Sequence, residues 1–140
     1  MAKRTIYDGQ IAVADADYTH ASEDDEGELV EAEIENLDAP VTSRAVVGFR
    51  LDYPFEKPFD GEVRGSGGGG GGVSLRQIID AIRAAYRAMY VGTVAEPMEK
   101  LDNMHVRGPY GEAHHVIEDL VIETIALDDE AGTLEIFIGS

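Results

Sequence analysis

The stretch that decides the fold is Ser74-Leu75-Arg76-Gln77-Ile78-Ile79-Asp80-Ala81-Ile82-Arg83-Ala84-Ala85-Tyr86-Arg87-Ala88-Met89-Tyr90-Val91-Gly92. It reads as one capped amphipathic helix. Ser74 is placed to accept from the Gln77 amide while the Gln77 side chain reaches back to the Ser74 amide, the reciprocal capping box. Leu75, Ile78, Ile79, Ile82, Tyr86, Met89 and Tyr90 recur at helical spacing and form one apolar stripe. Val91-Gly92 supplies the stop. The opposite stripe carries Arg76, Asp80, Arg83 and Arg87, which predicts a basic exposed face on the helix.

A single apolar stripe needs a sheet to cover, and strand patterns lie on both sides of it. Upstream, residues 5–14 are rich in β-formers, with Gly9 marking a bulge. Leu29 to Glu35 alternates, with Val30, Ala32 and Ile34 on one face and Glu31, Glu33 and Glu35 on the other. Ser43 to Leu51 alternates too, with Arg44 and Arg50 on its polar side; paired with the glutamate strand, these arginines would relieve its like-charge repulsion. Downstream, residues 116–127 and 133–138 read as strands joined by the hairpin Asp128-Asp129-Glu130-Ala131-Gly132. The expected fold is α+β: a mainly antiparallel sheet in the order β-β-β-α-β-β with the helix on one face. The chain reads as a single domain, residues 1–140, with a flexible acidic loop over 15–28 and a flexible Gly-rich loop over 65–72. Between the third strand and that loop, Tyr53-Pro54-Phe55 and Pro58-Phe59 predict an ordered but irregular connection.

Composition narrows the function classes. Hydrophobic residues make up 44% of the chain, enough for a core without cross-links. There is no cysteine, which removes disulfides, thiolate metal sites and cysteine nucleophiles together. Eleven Lys and Arg against 28 Asp and Glu give a formal charge of −17. Such a chain repels phosphate backbones and anionic lipid, so neither nucleic acid nor membrane is an expected partner. The charge fits solubility or an acidic or salty setting, or, more sharply, a nucleic-acid mimic or a partner for a basic protein. No run is long and apolar enough to span a bilayer, and the N-terminus has no signal-peptide core, so the expected location is cytoplasmic.

The residues that carry chemistry cluster late. His105, His114 and His115 are candidate metal ligands. His115, Asp119 and Glu123 are candidate acid–base residues; read as a strand, the segment would put all three on one face with Ile117 and Val121. Against this stands a structural role, a His–Asp bond that ties loop to sheet. His-Glu-x-x-His is absent, as are a nucleophile elbow and the Gly-Lys-Ser/Thr of a phosphate loop. Residues 15–26 place oxygen ligands like a calcium loop but have His20 where that loop needs glycine.

Tyr110-Gly111, His115, Ile117-Glu118-Asp119-Leu120-Val121-Ile122-Glu123 and Phe137-Ile138-Gly139-Ser140 resemble a set of small proteins of unknown function. Their core reads Tyr-Gly-x-x-x-His-x-Ile-x-Asp-Leu-x-Leu-Glu after a helix like Leu75 to Tyr90. The resemblance covers residues 73–140 and departs in lacking the tryptophan between Tyr-Gly and His. It implies no activity and draws attention to His115, Asp119 and Glu123.

Two functional expectations follow. The first is a non-enzymatic protein-interaction or self-assembly module, in which Arg76, Arg83 and Arg87 of one copy meet Glu31, Glu33 and Glu35 of another head to tail, as a homo-oligomer without cofactor. The second is a small metal-dependent or His/Asp acid–base enzyme built on His105, His114, His115 and Asp119.

Overall fold

The computed structural model describes residues 3–65, 72–97 and 104–140. The order of elements is β1 (Arg4–Ala12), β2 (Thr19–Glu23), β3 (Leu29–Glu33), β4 (Pro40–Thr42), β5 (Val46–Leu51), β6 (Phe59–Arg64), β7 (Val73–Ser74), α1 (Leu75–Tyr90), β8 (Val94–Pro97), β9 (Met104–Gly108), β10 (Gly111–Ala113), a 3-10 turn (Ile117–Asp119), β11 (Val121–Asp128) and β12 (Thr133–Gly139). Seven strands form the main sheet in the order β3-β2-β1-β11-β12-β5-β6; β8 to β10 form a small second sheet, and β4 pairs with β7. All main-sheet pairings are antiparallel except β12 with β5. The α+β class, the mostly antiparallel sheet and the single main helix stand as expected. The simple order β-β-β-α-β-β does not, because short strands in the segments read as loops take up backbone pairing.

α1 forms for the reasons its sequence predicts. Ser74 Oγ accepts from the Gln77 amide at 3.3 Å, and Gln77 Oε1 accepts from the Ser74 amide at 2.9 Å. Leu75, Ile78, Ile79, Ile82, Tyr86 and Met89 are buried. They meet the inward face of the sheet, to which Ile11, Val47, Phe49, Leu51, Ile122 and Leu127 contribute. Full burial of one such aliphatic side chain is worth about 1.5–3 kcal/mol. The bulge foreseen at Gly9 appears as a register shift between Asp8 and Ile11. A side chain at Gly9 would meet Tyr7 Oη at 2.7 Å and His20 Nδ1 at 2.9 Å, so the backbone passes close beside the hydrogen bond joining those two groups. The hairpin at 128–132 is also as expected: Asp128 Oδ1 accepts from the amides of Glu130 and Ala131, and Gly132 has φ +68°.

Three expectations are corrected. The glutamate strand β3 pairs with β2, not with β5. Arg50 instead grips Asp60 on β6 at 2.7 and 3.1 Å, and Arg44 donates to the Asp129 and Glu130 carbonyls. All five residues of β3 are exposed, Val30 and Ala32 included, because β3 is the sheet edge opposite β6 while α1 packs mainly against β6 and β7. Finally, Arg83 is buried rather than part of an exposed stripe.

The acidic segment 15–28 contains β2. Its turn is closed by Asp24, whose Oδ1 accepts from the Glu26 and Glu28 amides at 2.9 Å, with Gly27 at φ +81°. A strand at 19–23 is not a calcium-loop conformation. Residues 66–71 of the Gly-rich loop lie outside the described residues. No helix among the described residues is long and apolar enough to cross a membrane.

Candidate functional site

Two places collect chemistry: a corner where β11 begins and β12 ends, and the β2–β3 edge.

The corner is held by α1. Tyr86 and Tyr90 lie one turn apart on its apolar stripe, and a buried phenol needs a hydrogen-bond partner. Tyr86 Oη donates to the Tyr53 carbonyl at 2.5 Å, and Tyr90 Oη donates to the His115 carbonyl at 2.8 Å. Phe55 packs edge-on against Tyr90. Burial, first of all, raises the pKa of both phenols; neighbouring groups, including Asp52 for Tyr86 and Asp119 and Glu118 for Tyr90, add to the shift. Both hydroxyls therefore stay protonated as donors. Two irregular segments far apart in sequence are thus fixed to one helix.

The side chains of those segments then converge. His115 Nε2 lies 3.2 Å from Ser140 Oγ, and Tyr53 Oη lies 2.6 Å from the same oxygen. The Tyr53 and His115 rings are 6.2 Å apart. On the other side of the imidazole, Asp119 Oδ2 is 3.7 Å from Nδ1. His115 and Asp119 do meet, but not on a strand. The 3-10 turn at Ile117–Asp119 carries Asp119 back as an i,i+4 neighbour, and β11 starts only at Val121. The expectation that His115, Asp119 and Glu123 share a strand face is corrected for that reason. The exposed Glu123 side chain instead lies over Gly139 on β12.

The expected metal set is not assembled among the described residues. His114 is exposed beside His115, the His105 side chain lies outside the described residues, and no group of three His, Asp or Glu is placed to hold an ion among the residues described. Ser140 and Tyr53 were missed by sequence reasoning. The usable signal was the pair of phenols on the helix stripe, whose hydroxyls had to find acceptors.

At the β2–β3 edge, Leu29 is 60% and Val30 45% exposed, and Glu31, Glu33 and Glu35 face solvent. Beside this strand is a cleft of about 380 Å³, lined in part by Tyr7, Asp8, His20, Glu33 and Glu35. Tyr7 Oη and His20 Nδ1 are hydrogen-bonded at 3.0 Å, and burial, with help from the Asp8 charge, pushes the Tyr7 pKa up to about 12. No Lys or Arg lines the cleft among the described residues.

The basic helix surface is largely consumed within the subunit. Arg76 makes a two-pronged pair with Asp38 at 2.7 and 3.2 Å, and its guanidinium sits 4.5 Å above the Tyr18 ring. Tyr18 in turn donates to Asp80 at 2.6 Å. Arg87 remains exposed. Asp38 and Tyr18, in the segments flanking β2 and β3, therefore meet the helix inside one chain.

No family model matches the chain, and no curated protein and no solved structure matches it.

Proposed function

We propose that this chain is a protein-interaction module whose β3 edge accepts an extended, basic segment of a partner protein. The observation that carries the reading is the pairing of an exposed edge strand with a cleft whose charged lining residues, Asp8, Glu33 and Glu35, are all carboxylates. An edge strand offers a row of main-chain donors and acceptors, the usual template for β-strand addition. Leu29 and Val30 supply apolar contact at one end of β3; Glu33, Glu35 and Asp8 supply negative charge at the other. A Lys or Arg side chain of the added strand would enter the cleft. The net charge of −17 steers basic partners in and keeps like-charged copies apart.

Self-assembly through the helix is the weaker form of the reading, since Arg83 is buried and Arg76 already has a carboxylate. The net charge disfavours nucleic acid and anionic membrane as partners. The test is calorimetric titration with a short peptide alternating arginine and valine, against a control alternating serine and valine. Binding of the first alone, weakened by salt and by Glu33→Lys with Glu35→Lys, supports the reading. Equal binding of both peptides, or none, contradicts it.

A further inference from the structure

The corner site supports a second activity, independent of the β3 edge. We propose that Ser140, His115, Asp119 and Tyr53 form an ester-cleaving centre in which Ser140 is the nucleophile. A serine hydroxyl becomes nucleophilic when a base takes its proton as it attacks, and the geometric signature is serine, base and orienting carboxylate in a row. Here Ser140 Oγ is 3.2 Å from His115 Nε2, and Asp119 Oδ2 is 3.7 Å from Nδ1 on the far side of the ring. That carboxylate favours the tautomer with hydrogen on Nδ1, which leaves Nε2 as the acceptor. The pair is longer than a direct hydrogen bond and tightens when the ring becomes cationic, as such contacts do on passing from resting enzyme to the reacting complex.

Each step balances. Ser140 Oγ bonds to the carbonyl carbon of an ester while its proton passes to His115 Nε2. Negative charge develops on the carbonyl oxygen, and Tyr53 Oη, 2.6 Å from Ser140 Oγ, is within reach to donate to it. Collapse breaks the carbon–oxygen bond to the leaving alcohol, which takes the proton from His115. Water then gives a proton to His115 and attacks the acyl-serine. The carboxylic acid departs and the proton returns to Ser140. The sum is ester plus water giving acid plus alcohol, with no further reactant.

The fold serves this chemistry by fixing the parts. Tyr86 holds the backbone of Tyr53 and Tyr90 holds that of His115, both from the rigid helix α1. Asp52, Glu118 and Glu123 sit next to the reacting residues in sequence or structure and disfavour anionic esters. The substrate class is therefore a neutral or cationic ester.

The test is labelling of the full chain with a fluorophosphonate, located by mass spectrometry, alongside hydrolysis of p-nitrophenyl acetate. Modification of Ser140 is expected, with hydrolysis falling about 10²–10⁴-fold in Ser140→Ala and in His115→Ala. Asp119 is a positioning residue: Asp119→Asn should lower the rate and Asp119→Glu should recover part of it. Circular dichroism confirms that each variant is folded. An unlabelled Ser140 in wild-type protein, where a known serine hydrolase labels fully in parallel, overturns the proposal. So does a folded Ser140→Ala that hydrolyses at the wild-type rate.

Discussion

Arg83 on α1 donates twice to the carbonyl of Ala12, at the end of β1, through Nε at 3.2 Å and Nη2 at 2.8 Å. Its third nitrogen donates to the Asp17 carbonyl at 2.6 Å. A guanidinium buried among backbone carbonyls is a planar fork satisfying acceptors that the sheet leaves open as the chain turns off β1. Burial lowers its pKa, yet a guanidinium stays charged. Arg83→Met should therefore cost about 2–4 kcal/mol, because three charged hydrogen bonds are lost and the Ala12 and Asp17 carbonyls lose their donor. Arg83→Lys should restore only part of that. Urea unfolding checks it, and a loss for Arg83→Met no larger than that of the exposed Arg87→Met would contradict it.

Ile82 sits one residue before Arg83 and is fully buried against the sheet. Ile82→Ala should lose about 2–5 kcal/mol, the range for large-to-small changes in a packed core. A change below about 0.5 kcal/mol in the denaturant midpoint analysis would show that the helix does not seat as described.

Alkaline behaviour follows from the phenols. Tyr7, Tyr86 and Tyr90 all have raised pKa values, with burial the largest cause, and Tyr7 is pushed up to about 12 from an ordinary 10.0. The folded state thus favours the neutral phenol. For Tyr7 that stabilisation is complete below pH 10 and is lost as pH rises through about 12, and for Tyr86 and Tyr90 it is lost at higher pH still. Absorbance titration of the phenolate should show these three ionising together with loss of helix. Their ionisation in a fully folded protein at pH 10 would rule the placement out.

Acid behaviour can be read at Asp38. The Arg76 side chain holds this carboxyl below its ordinary 3.8 through hydrogen bonding and then charge. A lowered carboxylate pKa stabilises the fold above the ordinary value and ceases to do so as pH falls through the folded one. The stability gap between wild type and Asp38→Asn should accordingly be present at pH 6 and close below about pH 3.8. A gap independent of pH would assign the effect to something other than the Arg76 pair. Because Asp38 is exposed, the gap should also shrink in salt.

What the sequence made legible was what depends on local pattern. The capping box at Ser74, the buried stripe from Leu75 to Met89, the bulge at Gly9 and the hairpin at Asp128–Gly132 all obey short-range rules, and all are present. What failed depended on partners distant in the chain. Alternation predicts a covered face for Val30 and Ala32 as well as Ile34, but of the three only Ile34, just past the end of β3, is buried; burial of the others requires a helix above them, and α1 lies toward the other edge. Arg83 has the spacing of a surface residue; only the return of the chain at Ala12 and Asp17 makes it a buried one. His115 and Asp119 were named from spacing alone, but on a strand, whereas a 3-10 turn brings them together. Ser140 and Tyr53 joined them through contacts spanning 25 residues and more, for which no local pattern exists.

Addition of a basic partner strand to β3 is tested most directly by amide hydrogen exchange. With the arginine–valine peptide bound, outward-facing amides within Leu29–Glu33 should exchange more slowly, while those of the equally acidic turn at Asp24–Glu28 stay unchanged. Slowing spread evenly over all acidic surfaces, with none specific to β3, would mean that charge alone attracts the peptide and that no strand is added.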